Sequence, residues 1–204
     1  MPRLVAFGCS YTYGEALPDC YEPESGRAGP HPSMFAWPNV LADRLKLECV
    51  NRGAPAFSNA AILSRILDFK FNHDDICVIL WTFKSRDILF QPSGEHKNLG
   101  RWEDEWSKNQ DMYDLIMKNR LHMHHAQSYL ELQQIPFYAM DADYFKRHPL
   151  DHLMPTWARS IKLVNINFEE IENSNPKGLD NLHPGQGFHT EIANILYNEI
   201  LKIN

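Results

Sequence analysis

The sequence predicts an α/β chain: a three-layer αβα sandwich on a mainly parallel sheet of five strands. Three observations predict it. Short apolar runs alternate along the chain with longer segments of helical spacing. The runs are continuously apolar rather than alternating, as expected of strands covered on both faces. The 204 residues, 44% hydrophobic and 12% aromatic, suffice for a single domain over residues 1–204 with a full core.

The first strand is Leu4-Val5-Ala6-Phe7, stopped by Gly8. Seven Pro and Gly residues then fall between positions 14 and 32, which reads as a long loop within an insertion over about 14–33. Met34, Val40, Leu41 and Leu45 mark a helix, with Pro38 tolerated in its first turn. Leu47 to Asn51 forms the second strand. Ser58 or Asn59 caps the next helix, on which Ile62, Leu63, Ile66 and Leu67, then Phe69 and Phe71, share helical spacing. Asp75 to Trp81 is the most apolar strand. Residues 84–110 turn polar, with Trp102 and Trp106 set among charges, and read as a second insertion. Met112 to Leu132 returns to helical spacing, Ile135 to Met140 gives a fourth strand, and Lys162 to Ile166 a weak fifth. Glu191 to Ile203 closes the chain as an amphipathic helix.

Composition narrows the function classes. With 20 Lys+Arg against 26 Asp+Glu the net charge is −6, and without a basic run the chain is not expected to bind nucleic acid. No stretch approaches the ~20 apolar residues of a membrane span, and no signal-peptide core follows Met1. The expectation is a cytoplasmic or otherwise soluble protein. Cys9, Cys20, Cys49 and Cys77 form no C-x-x-C pair and read as buried thiols, a disulfide through Cys20 being the alternative. His122, His124 and His125 have no acid or cysteine at matching spacing in their helix, so no metal site is expected.

In open α/β sheets ligands bind beyond the carboxyl ends of the strands, and three strand-end or loop clusters are unusually polar: Gly8-Cys9-Ser10-Tyr11-Thr12-Tyr13-Gly14, Asn51-Arg52-Gly53, and Asp180-Asn181-Leu182-His183-Pro184. A serine hydroxyl becomes a nucleophile when a base takes its proton, and an imidazole base works best when a carboxylate fixes its tautomer. Asp180 and His183 are three residues apart on one loop, and the order Ser10, Asp180, His183 is compatible with a triad. Each residue also has a structural reading: a turn or N-cap serine, a surface histidine, an aspartate capping a turn.

These blocks resemble the SGNH/GDSL hydrolase family over nearly the whole chain. The Gly8-Cys9-Ser10 stretch is similar to the block that carries the nucleophile, Gly53 to the second block's oxyanion-hole glycine, and Asp180-x-x-His183-Pro184 to the acid and base block. The resemblance implies a flavodoxin-like fold, an oxyanion hole from the N–H groups of Ser10 and Gly53, and no cofactor. The family's third block places an asparagine after the third strand. Here that strand runs into Trp81-Thr82-Phe83-Lys84-Ser85-Arg86-Asp87, which has none. Asn59, Ser85 or Arg86 stands as the replacement donor, and Arg52, Arg86 and Thr82 as substrate contacts. The implied function is hydrolysis of a small-molecule or glycan ester, an acetylated carbohydrate first. A non-catalytic module recognising a glycan or protein, and an acyltransferase, are the alternatives.

Overall fold

The computed structural model describes residues 1–90, 96–100, 111–143 and 154–202. Its elements in chain order are β1 (Arg3–Phe7), α1 (Ser10–Tyr13), β2 (Tyr21–Glu22), β3 (Arg27–Ala28), α2 (Trp37–Leu45), β4 (Glu48–Asn51), α3 (Asn59–Leu67), β5 (Ile76–Trp81), β6 (Asp87–Phe90), β7 (His96–Leu99), α4 (Met112–Leu132), β8 (Phe137–Asp141), α5 (Thr156–Arg159), α6 (Phe168–Ser174) and α7 (Gln186–Leu201).

The continuous apolar runs become the centre of a parallel sheet in the order β4-β1-β5-β8. Leu4 to Phe7 and Cys77 to Trp81 are buried residue after residue, because α2 with α7 and α3 with α4 form packed helix pairs around the sheet. Fully burying one of their large apolar side chains stabilises the fold by roughly 1.5–3 kcal/mol. From β1 the chain steps to β4 on one side and then to β5 on the other. That reversal places a topological switch point, the usual ligand crevice, beyond the carboxyl end of β1.

Among the described residues the sheet has four strands rather than five. Residues 162–166 run beside β8, where the Val164 N–H reaches the Ala139 carbonyl at 2.8 Å. The next donor in that register, the Lys162 N–H, is taken by Gln127 Oε1 at 3.0 Å, so no ladder propagates. Other differences are local. Ser58 caps α3, its side chain accepting from the Ala61 N–H, and the helix stops at Leu67. Phe69 and Phe71 lie past it and stack around Phe7. Residues 14–32 contain a short β2–β3 ladder, and β6 pairs with β7 inside the second insertion. Short α6 carries one apolar i, i+3 pair, Phe168 and Ile171, too little for a periodicity signal. All four cysteines are free thiols, so Cys20 has no disulfide partner. Trp102 and Trp106 lie outside the described residues. Among the described residues, no helix is long and apolar enough to cross a membrane.

Candidate active site

Ser10 opens α1 directly after β1, with Cys9 as the N-cap residue. The Cys9 carbonyl accepts from the N–H groups of Thr12 and Tyr13, at 2.9 and 3.0 Å, which makes the turn tight. The turn is wedged between two glycines. A Cβ at Gly8 would overlap Thr12 and stand 3.0 Å from the Leu80 carbonyl, and one at Gly53 would stand 2.9 Å from the Tyr13 nitrogen. Both glycines are therefore required for close approach. Gly14, at φ 80°, ends the helix in the left-handed region.

Asp180 and His183 share one loop, and the two oxygens of Asp180 divide the work of shaping it. Oδ1 accepts from the backbone N–H groups of Leu182 and His183, both at 2.9 Å, an Asx-type turn that leaves Asn181 at φ 57°. Oδ2 lies 2.5 Å from His183 Nδ1. The carboxylate that shapes the turn through Oδ1 therefore also faces the imidazole through Oδ2. The loop closes on itself: the Gly178 N–H donates to the His183 carbonyl at 2.8 Å and the Gly185 N–H to the Pro176 carbonyl at 3.0 Å. The Leu179 N–H ties it to the Ala16 carbonyl at 2.9 Å.

The loop and the turn meet across the switch point. His183 Nε2 lies 3.1 Å from Ser10 Oγ, so Ser10, His183 and Asp180 form one hydrogen-bonded line although Ser10 and His183 are 173 positions apart. Ser10 is only 2% exposed. The Tyr11 ring meets His183 edge-on at 5.8 Å and also contacts Phe83 and Phe188. Its hydroxyl donates to Glu172 Oε1 at 3.2 Å. Burial, then the Glu172 charge, pushes the Tyr11 hydroxyl well above its usual range, so it stays protonated. Burial raises the Asp180 carboxyl too, but hydrogen bonds from the His183 ring and from the Leu182 and His183 N–H groups outweigh it and hold Asp180 below the ordinary range.

The remaining expected residues are placed less simply. Asn59 is not open to a ligand: its Nδ2 donates to the Thr82 carbonyl at 3.0 Å and to Asn119 Oδ1 at 2.5 Å, while its Oδ1 accepts the Thr82 N–H at 2.7 Å. Both amide hydrogens are spent inside the protein, which corrects its reading as an oxyanion donor. Thr82 is fully buried by the same clasp, which corrects its reading as a substrate contact. The Gly53 N–H donates to Asn51 Oδ1 at 2.9 Å, and Asn51 in turn donates to the Thr12 carbonyl at 2.7 Å, so this amide is turned into the loop rather than left open. The half-buried Arg86 donates to Thr82 Oγ1 at 3.2 Å and lies over the Phe83 ring, at the Tyr11 wall. Arg52 is exposed.

Two residues were missed by sequence reasoning. Glu15, at the exit of α1, brings Oε2 to 3.5 Å from His183 Nε2. It lies just beyond the serine motif, and that nearness was the available signal. His189 on α7 is fully buried, its Nδ1 accepting the Trp37 N–H at 3.2 Å. Burial drives its pKa down to about 3 against an opposing hydrogen bond to the Pro184 carbonyl, so it is a neutral strut beside the acid and base loop. Among the described residues, no group of three or more His, Cys, Asp or Glu has the geometry to hold a metal.

No protein-family model matches the sequence, and no curated protein matches it. Solved structures do. One is a carbohydrate esterase whose active site displays divergent catalytic and non-catalytic binding functions, at TM-score 0.59 and 12% identity, with 98% of this chain and 65% of that one covered. An acetyl xylan esterase, Est2A, from the rumen bacterium Butyrivibrio proteoclasticus matches at TM-score 0.58 and 10% identity, over 98% of this chain and 64% of that one. The psychrotrophic esterase EstA from Pseudoalteromonas sp., inhibited by monoethylphosphonate, matches at TM-score 0.51 and 13% identity, over 98% and 97%. The chain thus spans a little under two thirds of the length of the first two.

Proposed function

We propose that this chain, on the fold it shares with these esterases, is an SGNH/GDSL-type serine hydrolase that cleaves an ester, the O-acyl group of a small molecule or a carbohydrate. The observation that carries this reading is His183 standing between Ser10 Oγ, at 3.1 Å, and Asp180 Oδ2, at 2.5 Å. Asp180 holds the ring proton on Nδ1, which leaves the Nε2 lone pair facing the serine.

In this reading the Ser10 proton passes to His183 Nε2 as Oγ attacks the carbonyl carbon. The Nε2 proton then passes to the leaving alkoxide, which departs as an alcohol, and the acyl group stays on Ser10. Water adds to the acyl-enzyme with His183 again as base, releasing the carboxylic acid and restoring the serine hydroxyl. The Ser10 N–H, in the first turn of α1, is the oxyanion donor; the Gly53 N–H joins only by leaving Asn51. No step asks for a metal or organic cofactor. An acetylated carbohydrate is the preferred substrate class because two of the similar folds belong to a carbohydrate esterase and an acetyl xylan esterase.

The test is Ser10→Ala. Hydrolysis of p-nitrophenyl acetate is expected to fall by on the order of 10⁴–10⁶-fold, and labelling by a fluorophosphonate probe to vanish; unchanged hydrolysis removes Ser10 as the nucleophile. A second reading, a non-catalytic glycan-binding module, is favoured by the commitment of Gly53 and Asn59 to internal hydrogen bonds. It requires a wild-type protein that binds acylated sugar and neither labels nor turns over.

A further inference from the structure

Glu15 is fixed by the same turn that fixes Ser10: its backbone N–H donates to the Ser10 carbonyl at 3.3 Å. Its side chain is 20% exposed, and its Oε2 lies 3.5 Å from His183 Nε2, the nitrogen that also faces Ser10 Oγ at 3.1 Å. Among the described residues His183 is its only ion-pair partner. While Nε2 serves as base it presents a lone pair, not a hydrogen, so the resting site supplies this carboxylate with no donor from the ring. A half-buried carboxylate that receives no donor from the ring beside it is open to one that a ligand brings.

The position of that donor follows from the chemistry. To leave, the alkoxide oxygen must stand within hydrogen-bond reach of Nε2, roughly 3 Å. Glu15 Oε2 borders the same nitrogen, so it flanks the leaving oxygen rather than the acyl group. The nearest donor an alcohol can offer there is a hydroxyl on the carbon next to the esterified one. We propose that Glu15 reads the leaving alcohol, accepting a hydrogen bond from this neighbouring hydroxyl and so favouring partial esters of diols and sugars over esters of simple alcohols.

This assignment rests on the esterase reading, and the experiment separates the two. Acetate release from 2-hydroxyethyl acetate and from ethyl acetate, which share an acyl group and differ in the single hydroxyl, gives a ratio of kcat/KM for the wild type and for Glu15→Gln and Glu15→Leu. A charge-assisted hydrogen bond predicts a wild-type preference of roughly tenfold or more for the hydroxy ester. The ratio is expected to shrink in Glu15→Gln and to approach one in Glu15→Leu, whatever loss both substrates share. Equal loss on both esters with the ratio intact makes Glu15 an electrostatic partner of His183 and overturns the proposal. Acetylcholine, which carries charge but no donor, completes the set: if it outruns the hydroxy ester and loses its advantage in Glu15→Gln, charge alone is read and the hydroxyl assignment is overturned. If the wild type hydrolyses ethyl acetate without any preference, the proposal falls alone. If it turns over p-nitrophenyl acetate but none of the three, the proposal falls alone; if it turns over none of the four, the esterase reading falls and takes the proposal with it.

Discussion

Replacing Asp180 by asparagine changes one carboxylate oxygen into an amide nitrogen, and the loop decides which one. Oδ1 accepts two backbone N–H groups, those of Leu182 and His183, each at 2.9 Å. An amide NH₂ accepts nothing, so the asparagine carbonyl must take the Oδ1 place and keep both bonds, each worth about 1 kcal/mol. The NH₂ is thereby aimed at His183 Nδ1, where Oδ2 stood at 2.5 Å. It donates, the ring must accept at Nδ1, and the ring proton moves to Nε2, facing Ser10. The serine then has no base. A wrong-tautomer histidine lowers kcat by about 10⁴-fold, or about 5.4 kcal/mol of transition-state stabilisation at ~1.36 kcal/mol per decade. The fold should hardly notice, since both backbone bonds survive. The assay is the initial rate of p-nitrophenyl acetate hydrolysis for the wild type, Asp180→Asn and Ser10→Ala, beside urea unfolding midpoints. An Asp180→Asn protein retaining more than a tenth of wild-type kcat while Ser10→Ala is inactive refutes the tautomer argument.

Asn59→Ala strips partners from the buried Thr82 backbone and from Asn119, and should cost roughly 2–4 kcal/mol in urea unfolding, while kcat of the folded variant falls less than tenfold. A loss of 10²–10³ in kcat, the cost of a missing oxyanion donor, would return Asn59 to the oxyanion hole. His189, with its pKa lowered to about 3 from 6.5, binds its proton more readily unfolded than folded, so its contribution is fully present above about pH 6.5 and is lost as the pH falls toward 3. Wild type should therefore lose about 2 kcal/mol relative to His189→Gln between pH 7.5 and pH 5, read from unfolding free energies; a difference that stays flat with pH contradicts it. Asp141, which burial raises to about 6, acts in the opposite sense. Wild type and His189→Gln both carry Asp141, so its effect cancels in the difference.

The parts of the fold that rest on uninterrupted burial were legible. Leu4 to Phe7 and Cys77 to Trp81 are covered on both faces, and their composition says so. The Lys162 to Ile166 segment misled because a backbone donor it needed for pairing is captured by a side chain on α4, Gln127, a competition no local pattern displays. The site divides the same way. Asp180 and His183 are read from spacing because their geometry is made within four residues. Asn59 has the right chemistry for an oxyanion donor, and only the tertiary partners Thr82 and Asn119 reveal that its amide is engaged elsewhere. For Glu15 the sequence offers only nearness to the serine motif, because its relation to His183 exists only once the ends of the chain meet.

The self-closed loop from Pro176 to Gly185 gives the site a division of labour between near and far. Asp180 and His183 are bonded to each other inside a segment whose two ends are stapled together, at Gly178 to His183 and Gly185 to Pro176. Their relation survives any change that moves the segment as a body. The serine is held by an unrelated part of the chain, and the segment docks beside it through the Leu179 N–H and the Ala16 carbonyl. Alignment of Ser10 with His183 is thus a docking coordinate, set by how the cassette seats on Ala16, whereas proton placement on the ring is internal to the cassette. Substitutions at Ala16, against whose Cβ a Cβ at Gly178 would stand at 2.6 Å, reach the first from outside the cassette.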